Sequence, residues 1–203
     1  MRPDKRQAIL RGALSVFARD GYSRASIDGI AKEAEVSTRT LYNHFADKAD
    51  LFRNVIQASA DDAARDQIAI IERHFHRVTD LEQDLVAFGR AMGAEIGHAE
   101  HFALVRQINA ELGHIPAEAI EAWQETGPRR VKRALAAELG KLGFKDPKRA
   151  AVHLMLLTLT GEPSIRGTRP DEDDIAAGVR VFLHGHDVEN AEGAATQGHG
   201  HTR

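Results

Sequence analysis

Apolar residues recur every three or four positions along nearly the whole chain. No stretch alternates apolar and polar residues with β-branched side chains for long, so the pattern predicts helices throughout. Ile9, Leu10, Ala13, Leu14 and Phe17 form a first stripe, which ends at Arg19-Asp20-Gly21, where glycine suits a left-handed cap. Ser26 is a fitting N-cap for a short second helix, over about 27–34, that turns Ile27, Ile30, Ala31 and Ala34 inward. Ser37 caps a third, over about 38–45, carrying Leu41 and Phe45 inward. Asp47 caps a fourth that starts at Lys48 and is expected to run past residue 70. Further helices are predicted over 81–97 and 101–112, then from Pro116, and again after the break at Gly127-Pro128, where Val131, Leu135, Leu139 and Leu142 resume the stripe. A strongly apolar helix is expected over 148–161. A last one carries Ile175, Val179, Phe182 and Leu183, and the small polar tail, 187–203, is expected to be disordered.

Composition narrows the class. Of 203 residues, 42% are hydrophobic and 28% charged, enough apolar material for a real core. The absence of cysteine excludes disulfides, thiolate zinc sites and cysteine nucleophiles, and fits a reducing cytoplasm. No apolar run approaches the roughly 18 residues of a membrane span, and MRPDKRQAIL does not read as a signal peptide. A cytoplasmic protein with no membrane partner is therefore expected. The net charge of −3 hides an asymmetry: residues 1–53 carry +3 and the remainder −6. A basic end on an acidic body points that end toward nucleic acid.

Two short helices joined by Glu35-Val36-Ser37, with an apolar helix behind them, have the layout of a helix-turn-helix. At 100° per residue, Arg39 and Asn43 lie about opposite Leu41, with Thr40 and Tyr42 flanking them. The outward face is thus Thr, Arg, Thr, Tyr, Asn and His. It is rich in hydrogen-bonding groups and free of carboxylates, so it can enter a major groove without repelling phosphate.

Residues 17–52, FARDGYSRASIDGIAKEAEVSTRTLYNHFADKADLF, resemble the DNA-binding domain of the TetR family of transcriptional regulators. The resemblance is carried by Phe17, Gly21, Tyr22, Ser26, Ile27, Ile30, Ala31, Ala34, Val36, Ser37, Thr40, Leu41, Tyr42, Phe45, Lys48 and Leu51, in order and at the family's spacing. Glu35 departs from it, standing where the family usually has glycine; if φ is positive there, Glu is the costlier residue. The resemblance implies that Tyr42 and Lys48 meet phosphates, Lys48 with help from its helix dipole. It also implies that Arg39, Asn43 and Thr38 read base edges and that His44 lies near the backbone. Ser37 and Thr40 complete the expected DNA-binding set. Residues 98–162 are similar to the C-terminal domain of the AefR-like branch, which implies a helical ligand-binding and dimerisation domain.

Within that body, Phe88, Met92, Phe102, Trp123 and Met155, with the polar Arg106, Gln107 and His153, are candidates to line an effector pocket between helices. The surplus apolar character of 148–161 and of the last helix places a dimer contact at Leu156, Leu159, Ile175, Val179 and Phe182. His98 and His101, with Glu95 or Glu100 nearby, could share a metal, but surface histidines are the simpler reading; no metal and no cofactor is expected. No phosphate-binding glycine loop, nucleophile elbow or zinc-protease motif occurs, so an enzyme is not expected. A non-specific DNA-binding structural protein should be basic overall, and this chain is not. The expected architecture is all-α. Residues 1–48 form a three-helix DNA-binding domain with a helix-turn-helix, and residues 49–186 a helical-bundle domain for effector binding and dimerisation. The expected function is a ligand-responsive repressor that binds a palindromic double-stranded DNA operator as a homodimer and takes a small, mainly apolar effector.

Overall fold

The computed structural model describes residues 5–94, 99–159 and 171–186. Among them the chain forms ten helices and no β-strand: α1 Lys5–Arg24, α2 Ile27–Glu33, α3 Thr38–Tyr42, α4 Lys48–Phe75, α5 Leu81–Gly93, α6 Ala99–Ala110, α7 Ala117–Thr126, α8 Pro128–Lys141, α9 Pro147–Leu159 and α10 Glu172–Gly185. The tail 187–203, with His199 and His201, and the residues Glu95 and His98 lie outside the described residues. Among the described helices none is long and apolar enough to cross a membrane. Nor does any group of three or more described His, Asp or Glu residues gather as metal ligands would.

The chain divides into two compact units, one from residues 1–67 and 95–131, the other from 68–94 and 132–203. In the first, the apolar stripe of α1 meets those of α2, α3 and the first half of α4. Ile9, Ala13, Phe17, Ile30, Leu41, Leu51, Phe52 and Ile56 are all essentially inaccessible to solvent. Phe17 packs edge-on against Phe52 with ring centroids 4.8 Å apart, a geometry that adds about 0.5–1.5 kcal/mol to the burial of the rings. The same core takes in Leu104 and Ile108 of α6 and Trp123 of α7, so α6 is part of the frame that holds α1.

The caps largely follow the sequence. Ser26 Oγ accepts from Gly29 N at 3.0 Å, Ser37 Oγ from Thr40 N at 3.1 Å, and Asp47 Oδ1 from Asp50 N at 2.7 Å, which starts α2, α3 and α4 where capping chemistry predicts. Some boundaries differ. α3 stops at Tyr42 and not near residue 45, because His44 N and Phe45 N both bond to the Leu41 carbonyl, at 3.0 Å each, and tighten the last turn. α5 ends at Gly93, where Ala94 turns extended.

In the second unit α9 packs on α10, and both meet α5. Phe144 stacks on Phe182 at 5.2 Å and Phe75 meets Phe88 edge-on at 5.2 Å. The approach of α10 to α9 depends on Gly178, where an added Cβ would sit on the Leu157 carbonyl. Asp171 and Asp174 form a reciprocal capping box at the start of α10.

Candidate nucleic-acid interface

The reading face begins with the turn before it. Val36 N bonds Ala31 O at 2.9 Å and Glu35 N bonds Lys32 O at 3.2 Å, the paired bonds of a Schellman closure on α2. That closure requires a left-handed residue, and Glu35 supplies it at φ 55°. The turn keeps its form without glycine, and the backbone carries the strain expected of Glu there. The end of α8 makes the same closure with a glycine, Gly143, at φ 88°.

The turn delivers α3 with Leu41 fully buried and Phe45 2% exposed, which pins the helix from behind. Opposite them, Ser37, Arg39, Tyr42, Asn43 and His44 are exposed, and Thr38 and Thr40 half-buried. Ser37 Oγ also lies 2.8 Å from Thr40 Oγ1, so these two hydroxyls are committed to capping α3. Arg39, Tyr42, Asn43 and His44 thus remain open to solvent around buried Leu41.

Lys48 opens α4 beside this face. Its ammonium is held by two contacts: Nζ donates to the Ser23 carbonyl at 3.2 Å and sits over the Tyr22 ring, 4.8 Å from its centroid. Partial burial lowers its pKa below the ordinary lysine value, and the Glu111 carboxylate acts in the opposite direction. Burial likewise raises the Tyr22 hydroxyl, with Asp47 adding to it. Glu111 belongs to the turn that follows α6, and its Oε2 accepts from Ser23 N at 2.7 Å and from Ser23 Oγ at 2.8 Å. Burial pushes the Glu111 carboxyl up, but the bonds from Ser23, with Arg24 and His114 nearby, leave it below the usual range. Nothing in the sequence marked Ser23 or Glu111; they stand 88 positions apart and only the packing of α6 on α1 joins them.

The eight residues proposed from sequence for an effector pocket fall in both units. Phe102, Arg106, Gln107 and Trp123 are in the first, and Phe88, Met92, His153 and Met155 in the second. Trp123 and Phe88 are core residues, Arg106 is exposed, and exposed His153 hydrogen-bonds His186 with Nδ1 and Nε2 3.0 Å apart. A surface groove of about 480 Å³ in the second unit is lined by Asp80, Glu82, Gln83, Val86, Ala87, Arg90 and Glu172, none of them in that set. Of the five residues expected at a dimer contact, Ile175, Val179 and Phe182 are buried inside their own unit. The stripe of α10 packs on α5 and α9 of the same chain. Leu156 is exposed and Leu159 half-buried, and the apolar surface left over on these helices is Val152, Leu156, Leu157 and Val181.

Comparison with known proteins agrees with this geometry. The sequence model of the bacterial regulatory proteins of the tetR family matches residues 9–55. The transcriptional activator FasR of Mycolicibacterium smegmatis is 33% identical over 97 residues, 48% of this chain and 42% of that protein. The regulator AcrR of Shigella flexneri is 43% identical over 56 residues, 28% of this chain and 26% of that one. The chain therefore spans less than half the length of these curated relatives. Two solved structures match over nearly their full length. A TetR-family transcriptional regulator from Mesorhizobium loti MAFF303099 has TM-score 0.79 and 27% identity, covering 91% of this chain and 97% of that one. The flavonoid-responsive regulator FrrA has TM-score 0.66 and 30% identity, covering 92% and 98%.

Proposed function

The chain belongs to the TetR family of bacterial regulatory proteins, DNA-binding transcriptional regulators, and from that premise we propose that it is a ligand-responsive repressor that binds a palindromic operator as a homodimer. The observation that carries the reading is the exposed face of α3. Arg39 and Asn43 are exposed, away from buried Leu41, and in this reading they contact base edges, Arg39 preferring guanine. Tyr42 and Lys48 flank them as phosphate contacts that set register and carry no sequence information.

A two-fold dimer presents two such faces to half-sites one helical turn apart. For its contact we propose the surplus apolar surface of the second unit, Val152, Leu156 and Leu157 of α9 with Val181 of α10. The resemblance of residues 98–162 to the AefR-like branch belongs to the same proposal and implies a regulatory body. FrrA is described as flavonoid-responsive, and a small, mainly apolar effector is proposed here on the same lines. The mechanism is linkage: an effector that prefers the conformation in which the two faces miss successive grooves weakens DNA binding by its differential affinity. One observation favours a second reading, activation, since FasR is an activator.

Selection of bound duplexes from random-sequence DNA tests the proposal. The expected result is an enriched inverted repeat that survives competitor DNA. Enrichment of no sequence over competitor would overturn it. A promoter fusion carrying the enriched site then separates repression from activation.

A further inference from the structure

The contact between Ser23 and Glu111 has the chemistry of an anion site. Ser23 presents its amide N–H and its hydroxyl to one carboxylate oxygen, at 2.7 and 2.8 Å, while its carbonyl holds the Lys48 ammonium at 3.2 Å. Two converging donors beside a cation are what a DNA backbone phosphate seeks. The chain makes room for the carboxylate: Gly21 sits at φ 80°, and a Cβ there would collide with the Glu111 carboxylate and come 3.1 Å from Gln107 Oε1. Ser23 is exposed, next in the chain to exposed Arg24 and three residues before the N-cap of α2. Its two donors are therefore at the surface, on the side of the unit that carries Lys48, and an internal negative charge has them.

We propose that Ser23 is a DNA-phosphate-binding residue, and that Glu111 is an internal stand-in for that phosphate which must give up the Ser23 donors when DNA binds. Glu111 then holds the interface below its full DNA affinity in two ways. It occupies the amide and hydroxyl, and its charge offsets that of Lys48 toward an approaching phosphate. The inference rests on the reading of α3 and Lys48 as a DNA interface.

Phosphate contacts are independent of sequence, so a duplex of arbitrary sequence is a sufficient probe. Binding of the full chain is followed by fluorescence anisotropy across a salt series. The variants are Glu111→Gln, Ser23→Ala, the double variant, Lys48→Ala, and Glu118→Gln, which removes the same charge from an exposed position of the same unit. Gln retains an oxygen that can accept from Ser23, so the loop keeps its tie and only the charge is lost.

Glu111→Gln should bind about fivefold tighter than Glu118→Gln at low salt, the size of one partly screened charge contact. Its salt slope should steepen by about one unit per half-site. The gain should shrink when Ser23 is also Ala, since that variant loses the hydroxyl but keeps the Ser23 amide and the charge of Lys48. Binding by Glu111→Gln equal to or weaker than that of Glu118→Gln, or a gain undiminished by Ser23→Ala, overturns the inference and leaves Glu111 a structural tie. The underlying reading fails in a different way: the wild type does not bind duplex DNA, or Lys48→Ala binds as the wild type does. Either result removes the inference with it.

Discussion

Gly12→Ala sets two known effects against each other. Gly12 lies mid-way along α1, where alanine is favoured over glycine by about 1 kcal/mol on helix propensity alone. The structure opposes that gain. A Cβ at position 12 would lie 2.8 Å from Ala34 N and 2.9 Å from Ala34 Cα and Cβ. Carbon atoms pack best at about 3.5–4.0 Å, so α1 and the end of α2 would have to part by up to about 1 Å. Ala34 is the C-cap of α2, with its N–H bonded to Ile30 O, and it leads directly into strained Glu35. Overpacking of this kind costs about 1–3 kcal/mol, so the net expectation is a loss of about 1 kcal/mol together with weaker DNA binding, since α3 follows that turn. Gly140→Ala is the internal control. Gly140 is exposed in α8, and its Cβ would meet Pro147 at 3.7 Å, an ordinary contact, so the propensity gain of about 1 kcal/mol should appear in full. Urea unfolding of both variants, analysed for midpoint and slope, gives the comparison. If Gly12→Ala stabilises as much as Gly140→Ala, the close approach of α1 and α2 is not what fixes position 12.

Three further expectations follow from particular sites. Glu35→Gly relieves a left-handed residue that costs about 1–2 kcal/mol, against about 0.5–1 kcal/mol of added glycine entropy; a small rise in stability is expected in urea unfolding, and a fall would mean that the exposed Glu35 side chain contributes more than its backbone costs. Leu156→Asp and Val181→Asp should lower the sedimentation coefficient of a dimer to that of a monomer and weaken operator binding together; unchanged sedimentation in both would remove the proposed contact. His186 has its imidazole pKa lowered, first by burial and then by His153 and Arg149, against Asp146. Its neutral form belongs to the fold, so stability should be fully present above the ordinary histidine value and fall as pH drops through the lowered one; thermal unfolding across that range should show a smaller acid loss in His186→Asn than in the wild type.

Much of the first unit was legible because its signals are local. Ser26, Ser37 and Asp47 cap the helices they precede, and the 3.6-residue period names Leu41 and Phe45 as the buried side of α3; at Glu35 the family resemblance marked a departure from glycine, and the structure supplied the positive φ. What remained hidden depends on how helices meet. Gly12 reads as an unremarkable helix residue until Ala34 is seen against it. Ser23 and Glu111 give no joint sign across 88 positions. On α10 the periodic stripe of Ile175, Val179 and Phe182 was correctly seen as apolar, but periodicity does not say what covers it. The fold spends it on α5 and α9 and leaves Val181 outside. The candidate pocket is the least legible part, because large apolar residues on helices look alike whether they line a cavity or fill a core, and Phe88 and Trp123 are buried.

The central claim is that the outward face of α3 reads base edges. The base-preference profile of Arg39→Ala, measured against the wild type over single-position variants of the selected duplex, tests it most directly. The account predicts that Arg39→Ala loses about 1–3 kcal/mol and relaxes preference at one base position in each half-site, with the other positions unchanged. A variant profile that superimposes on the wild type at every position would contradict it.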